Sequence, residues 1–169
     1  MGNEKLEEKE QKIHDVIVSP LKIIKNTQGD VLHGIKKSDQ GYFGFGEAYF
    51  SIVLPKVIKG WKRHREMVLN LIVPIGSIRF VIYDDRESSK TFDCFQEVVL
   101  SRRNYCRLTI PPMLWVAFQG LENEENILLN FANLPHDQKE VDTIQAKVTW
   151  PFYSGGKNYA NLNKSKSLE

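Results

Sequence analysis

The stretch MVLNLIVPIGSIRFVIYDDRESSKTFDCFQEVVLS, Met67–Ser101, sets the fold class. It holds the short runs MVLNLIV, SIRFVIYD and FQEVVLS, dense in Val, Ile, Leu, Phe and Tyr and divided by Pro-Ile-Gly and by a polar cluster of Asp, Arg, Glu and Ser. β-branched and aromatic residues in short runs between turn formers read as strands. Outward from this stretch the pattern repeats in DVIVS, AYFSIVL, YCRLTI, LWVAFQ, NILLNFA and IQAKVTW. That makes about nine strands, with no convincing long amphipathic helix beyond the N-terminal segment. Short strands at this spacing favour an antiparallel sandwich or barrel over βαβ units, and a jelly roll fits best. At the corner after SIRFVIYD, Asp84, Asp85 and Arg86 read as a solvated turn that caps its own backbone rather than as a pair of catalytic carboxylates.

The chain has 169 residues, 41% of them hydrophobic, enough for one domain with a real core. A net charge of +2 leaves no broad basic footprint for nucleic acid. No apolar run approaches the length of a membrane span, and MGNEKL lacks the Ser or Thr of a myristoylation signal. With no secretory segment evident, Cys94 and Cys106 are expected to be reduced core thiols, and the protein to be cytoplasmic. Residues 1–14, rich in Glu and Lys, are expected to form a charged arm, 15–153 the folded domain, and 154–169 a flexible tail.

The segment that leads into the opening stretch, WKRHREMVLNLIVPIG, holds the candidate chemistry. Along a strand, Lys62, His64 and Glu66 share one face and Trp61, Arg63 and Arg65 the other, unless a bulge intervenes. The spacing fits the first cupin motif, whose His, His, Glu and Gly slots hold Lys62, His64, Leu69 and Gly76. The second motif falls on PPMLWV, with Met113 at its Gly slot and Val116 at its His slot. Of the usual ligand set only one His survives, so no metal is expected: a protonated lysine offers no lone pair, and Leu and Val have none. The fold expected is therefore all-β, an antiparallel double-stranded β-helix, or cupin jelly roll.

FGEAYFSIVLPKVIKGWKRH, VIYDDRESSKTF and LTIPPMLWVAFQGL together resemble the dTDP-4-dehydrorhamnose 3,5-epimerase family of cupins, over roughly residues 21–142. The resemblance implies a metal-free homodimer with no cofactor, acting on a nucleotide-activated 4-keto-6-deoxy sugar in cell-surface polysaccharide synthesis. In that family a His assisted by an Asp removes a proton beside the ketone, and a Tyr returns one on the opposite face. Carried over, the base position falls on Lys62, a second pocket His on Val116, and the arginine of an early DERG motif on Gln28. The tyrosine region becomes NLPHDQKE, with His136 and Gln138 at its aromatic slots, while Met67 and Leu69 replace polar residues of the shorter relatives. No Asp partner for the base is evident near Trp150.

The remaining titratable candidates are His64 or Lys62 as base and His136 as acid. Lys59 stands where the family has a substrate-facing cation. Tyr49 and Asn70 are candidates to reach the bowl of the barrel, and Trp115, otherwise a core or interface aromatic, to stack on a base or sugar. Two readings stay open, a divergent epimerase or isomerase and a barrel that binds a sugar nucleotide without turning it over. Convergence of His64, Lys62 and His136 on one open cavity would favour the enzyme, and closure of that cavity by Val116 and Met67 the binder.

Overall fold

The protein is described from a computed structural model over residues 12–144. The expected strand 144–150 lies outside that range but for its first residue, as do Trp150, most of the N-terminal arm and the C-terminal tail. Ile13, placed by composition in the arm, is already buried in the core.

Twelve strands follow in chain order: β1 Ile17–Pro20, β2 Ile23–Ile24, β3 Val31–Leu32, β4 Glu47–Val53, β5 Ile58–His64, β6 Leu69–Ile75, β7 Ser77–Asp84, β8 Cys94–Ser101, β9 Cys106–Ile110, β10 Trp115–Gly120, β11 Asn126–Ala132 and β12 Val141–Thr143. The helical element among the described residues is a single 3₁₀ turn, Gln138–Glu140. One five-stranded sheet runs β1-β9-β6-β11-β4 and the other β12-β5-β10-β7-β8, every pairing within them antiparallel. The expected all-β antiparallel architecture is thus the one observed.

Alternation builds the core. On β7, Ile78, Phe80 and Ile82 point between the sheets, where each is fully buried against residues such as Leu71, Leu100, Leu108 and Leu128. Each such side chain contributes roughly 1.5–3 kcal/mol relative to exposure. The opposite face of β7 is buried too. Val81 and Tyr83 join Trp61, Trp115 and Ala117 in a second cluster on the outside of the sheet, with the Tyr83 ring stacked 4.4 Å from that of Phe95. Burial on both faces is why SIRFVIYD reads as a nearly continuous apolar run.

The turn after β7 corrects one expectation. It does cap its own backbone, since Arg86 N donates to Asp84 Oδ1 at 3.1 Å, but Asp84 is fully buried rather than solvated. Burial pushes its carboxyl upward. Hydrogen bonds from the Arg86 guanidinium, Ser89 and Thr91 and from the Arg86 N–H outweigh that and hold it at about 2. Arg86 also donates to the His14 carbonyl, tying the start of the described chain to this corner.

Candidate active site

β5 carries the basic cluster, and one irregularity decides which way it faces. Against β10, Val116 pairs with Lys62 and Phe118 with Lys59, so β5 holds one residue more than its partner over this interval. Strict alternation would place Lys59 and Lys62 on opposite faces. The bulge turns both toward the interior. Gly60 makes it possible: its φ is +123°, and a Cβ there would stand 2.7 Å from both Ala117 Cα and Val116 O.

Between the sheets lies a cavity of about 250 Å³. The first sheet contributes Tyr49, Ser51, Leu69, Leu71, Leu128 and Asn130. The second contributes Lys59, Gly60, Lys62, His64, Val116, Phe118 and Val141, and His136 reaches it from the loop between β11 and β12. The structure thus brings five expected residues, His64, Lys62, His136, Lys59 and Tyr49, to one space. Val116 lines that space without closing it, and Met67 lies in the core.

His64 is the most constrained of the five. Its Nδ1 lies 2.6 Å from Glu140 Oε2, and both side chains are mostly buried. Glu140 is itself fixed, its Oε1 accepting from the backbone N–H groups of Glu66 and Met67, each at 2.8 Å. Burial raises the Glu140 carboxyl, but the Glu66 N–H, the His64 ring and the Met67 N–H together hold it below its ordinary value. An ionised carboxylate only accepts, so His64 Nδ1 carries a hydrogen and Nε2 is the ring nitrogen left for chemistry.

Glu140 was not among the sequence candidates. It reaches His64 because β12 pairs with β5, Val141 opposite His64 and Asp142 opposite Arg63. An ion-pair lattice reinforces that pairing: Arg63 binds Asp142 at 2.8 Å and Asp85 at 3.1 Å, and Arg65 also binds Asp142. The loop bearing His136 is tied at its start, where Val68 N donates to Asn133 Oδ1 at 2.7 Å. It ends in the 3₁₀ turn, capped by Asp137.

Two expected residues are elsewhere. Asn70 is buried with its side chain donating to Gly41 O at 3.0 Å and accepting from Thr109 Oγ1 at 2.7 Å, so it anchors a loop rather than facing the bowl. Trp115 points to the outer cluster, where its Nε1 donates to Asp85 Oδ2 and the Arg63 guanidinium lies 4.6 Å from the ring centroid. Strand parity explains both: Leu69, Leu71 and Val116 take the cavity face, so their neighbours Asn70 and Trp115 take the other. Glu66 is likewise off the cavity, because β5 ends at His64. Lys62 lines the cavity but is itself exposed. Among the described residues, no group of three or more His, Cys, Asp or Glu side chains is arranged to hold a metal.

No protein-family model matches the chain. A curated relative, the probable low-salt glycan biosynthesis epimerase Agl13 of Haloferax volcanii, is 30% identical over 132 residues, covering 77% of this chain and 85% of that one. A dTDP sugar isomerase from Desulfovibrio desulfuricans G20 is 36% identical and superposes with a TM-score of 0.78 over 81% of this chain and 88% of its own. The dTDP-4-dehydrorhamnose 3,5-epimerase of Elizabethkingia anophelis, 15% identical, shares the fold at a TM-score of 0.67 over 79% of this chain and 77% of that one. The two-sheet barrel, the cupin spacing and these relatives agree: the chain belongs to the dTDP-4-dehydrorhamnose 3,5-epimerase family of cupin-fold sugar epimerases and isomerases.

Proposed function

We propose that this protein is an epimerase or isomerase that removes a proton beside the ketone of a dTDP-4-keto-6-deoxyhexose during synthesis of a cell-surface glycan. The observation that carries this reading is His64, with Nδ1 held by Glu140 and its ring on the cavity. In this reading His64 Nε2 takes the proton, and the electron pair left behind moves into an enolate. Lys62, exposed and adjacent on the same wall, acts as a charge that holds the enolate oxygen rather than as a base. Lys59 donates to Ile52 O at 2.7 Å and directs positive charge toward the diphosphate. Relatives described as a glycan biosynthesis epimerase and a dTDP sugar isomerase support the substrate class.

The non-catalytic reading is not favoured, because the apolar wall of Leu69, Leu71, Val116 and Phe118 leaves the cavity open around His64, Lys62 and His136. We place the protein in the cytoplasm, in keeping with two unpaired cysteines. We further propose a homodimer. β4 is an edge strand whose Phe50 and Ile52, with Leu54 just beyond it, are exposed together with Phe43 and Phe45, a surface suited to pairing with a second copy. The catalytic reading is tested by incubating the protein with dTDP-4-keto-6-deoxyglucose in deuterated water and following the sugar by NMR. Deuterium entering C3 or C5 is expected. A sugar that binds and gains none would leave a binding protein.

A further inference from the structure

Among the described residues three asparagines are buried, and they use their amides differently. Asn126 uses both ends: its Oδ1 accepts from Ser77 N at 2.9 Å and its Nδ2 donates to Val53 O at 3.1 Å. Asn70 likewise donates to Gly41 O and accepts from Thr109 Oγ1. Asn130, on β11 and 3% exposed, uses one end only. Its Nδ2 donates to the Tyr49 hydroxyl at 2.8 Å, while its Oδ1 is buried with no hydrogen-bond partner among the described residues. A buried acceptor left open costs the folded chain stability, and a donor brought by a ligand removes that cost.

Asn130 lines the cavity next to Leu71, its register partner on β6, and Leu128, its neighbour on the same face of β11. The amide is thus set in an apolar stretch of wall, on the sheet facing the one that carries His64 and Lys62. At about 250 Å³ the cavity is smaller than the roughly 300–1,000 Å³ usual for a whole drug-sized ligand, so it takes one ring of a sugar nucleotide. In the catalytic reading that ring is the hexose, because His64 must reach it. A turn of the amide about χ2, a torsion with broad wells, presents Oδ1 to the ring. We propose that Asn130 Oδ1 accepts from a ring hydroxyl of the hexose, and so makes the protein select a sugar hydroxylated at that carbon over its deoxy counterpart. This deepens the reading of the cavity as the sugar site and rests on it. A 4-keto-6-deoxyglucose has its free hydroxyls at C2 and C3, so one of these two is the group read. Selection is strong because an analogue lacking the hydroxyl leaves the acceptor unpaired again, whereas a wholly apolar pocket scarcely separates the two.

The test titrates dTDP-4-keto-6-deoxyglucose, its 2-deoxy and 3-deoxy counterparts, and dTDP alone into wild-type protein, Asn130→Leu and Asn130→Asp by calorimetry. Wild type is expected to bind the parent sugar about 10- to 100-fold more tightly than at least one of the deoxy sugars. Asn130→Leu, similar in size and without the acceptor, should bring that ratio to within about threefold of one. Asn130→Asp keeps an acceptor, with the Tyr49 hydroxyl now donating to its other oxygen, and should keep the preference. It decides the matter even where Asn130→Leu fails to fold. No gap between parent and deoxy sugars in wild type, a gap that survives in Asn130→Leu, or its loss in Asn130→Asp would each overturn the assignment. So would an equal loss of affinity for dTDP alone in Asn130→Leu, which would put the contact on the nucleotide. Deuterium exchange into the parent sugar by the same wild-type protein separates the two levels: exchange without a gap leaves the catalytic reading standing, and failure to bind the sugar at all removes both.

Discussion

His64 Nδ1 and Glu140 Oε2 lie 2.6 Å apart, and the carboxylate is pinned from behind by two backbone N–H groups. This contact joins residues 76 positions apart in the chain and fixes which imidazole nitrogen is left for chemistry. Glu140→Gln tests it directly. The amide oxygen can keep the Glu66 and Met67 N–H bonds, which turns the NH₂ toward His64 Nδ1 and forces the hydrogen onto Nε2. The fold should survive while kcat falls about 100-fold or more, as when a catalytic histidine is locked in the wrong tautomer. Steady-state kinetics together with circular dichroism check both halves.

Gly60 holds the bulge that turns Lys59 and Lys62 toward the same cavity. A Cβ at this position meets the backbone of Val116 and Ala117 at 2.7 Å, at a φ that suits only glycine well. Gly60→Ala should therefore cost about 1–3 kcal/mol of stability. It should also weaken sugar-nucleotide binding, because either the bulge shifts or β10 must move. Chemical denaturation and calorimetry read the two effects.

Asp84 makes the corner after β7 sensitive to acid. Its carboxyl lies at about 2 in the folded protein, below the ordinary value of about 3.9 in an unfolded chain. A lowered folded value means that the contribution to stability is complete above the unfolded value and is lost as pH falls through about 4 toward 2. The amount at neutral pH is on the order of 2 kcal/mol. Asp84→Asn should lower the melting temperature at pH 7 and narrow the gap from wild type as the pH approaches 2. Melts across that range decide it.

Lys59→Ala should weaken binding of a dTDP-sugar more at low than at high ionic strength, since its proposed role is charge complementarity. kcat for bound substrate should change far less than in His64 variants. Titrations at two salt concentrations provide the comparison.

Phe50 is 68% exposed on the free edge strand β4. Phe50→Glu should leave the barrel folded and shift sedimentation from dimer to monomer at micromolar concentration, because a charge on an edge strand opposes pairing. Wild-type protein sedimenting only as a monomer would remove the dimer proposal.

Much of the barrel is readable in the chain because its strands are short, apolar and punctuated. SIRFVIYD, Ser77–Asp84, coincides with β7 at both ends. β5, whose charges and glycine keep it out of the apolar runs, is legible instead from alternation, which separates His64 and Lys62 from Trp61 and Arg63. The same period-two argument, applied outward from Leu69 and Val116, would have turned Asn70 and Trp115 away from the cavity. At the second cupin motif, Met113 adopts a positive φ of 66° at the slot where the motif has glycine, so the backbone shape outlasts the residue. Glu140 was beyond reach, because nothing local in NLPHDQKE tells that β12 will pair with the end of β5. Long-range register, not composition, brings the carboxylate to the imidazole.

The central claim is that His64 removes a carbon-bound proton, and the most direct measurement is the rate at which deuterium enters dTDP-4-keto-6-deoxyglucose with wild-type and His64→Asn protein, alongside the affinity of each for the sugar nucleotide. Wild type should place deuterium beside the ketone, and His64→Asn should do so about 100-fold more slowly or not at all while binding nearly as well. Deuterium entering at the same rate in both proteins would contradict the claim.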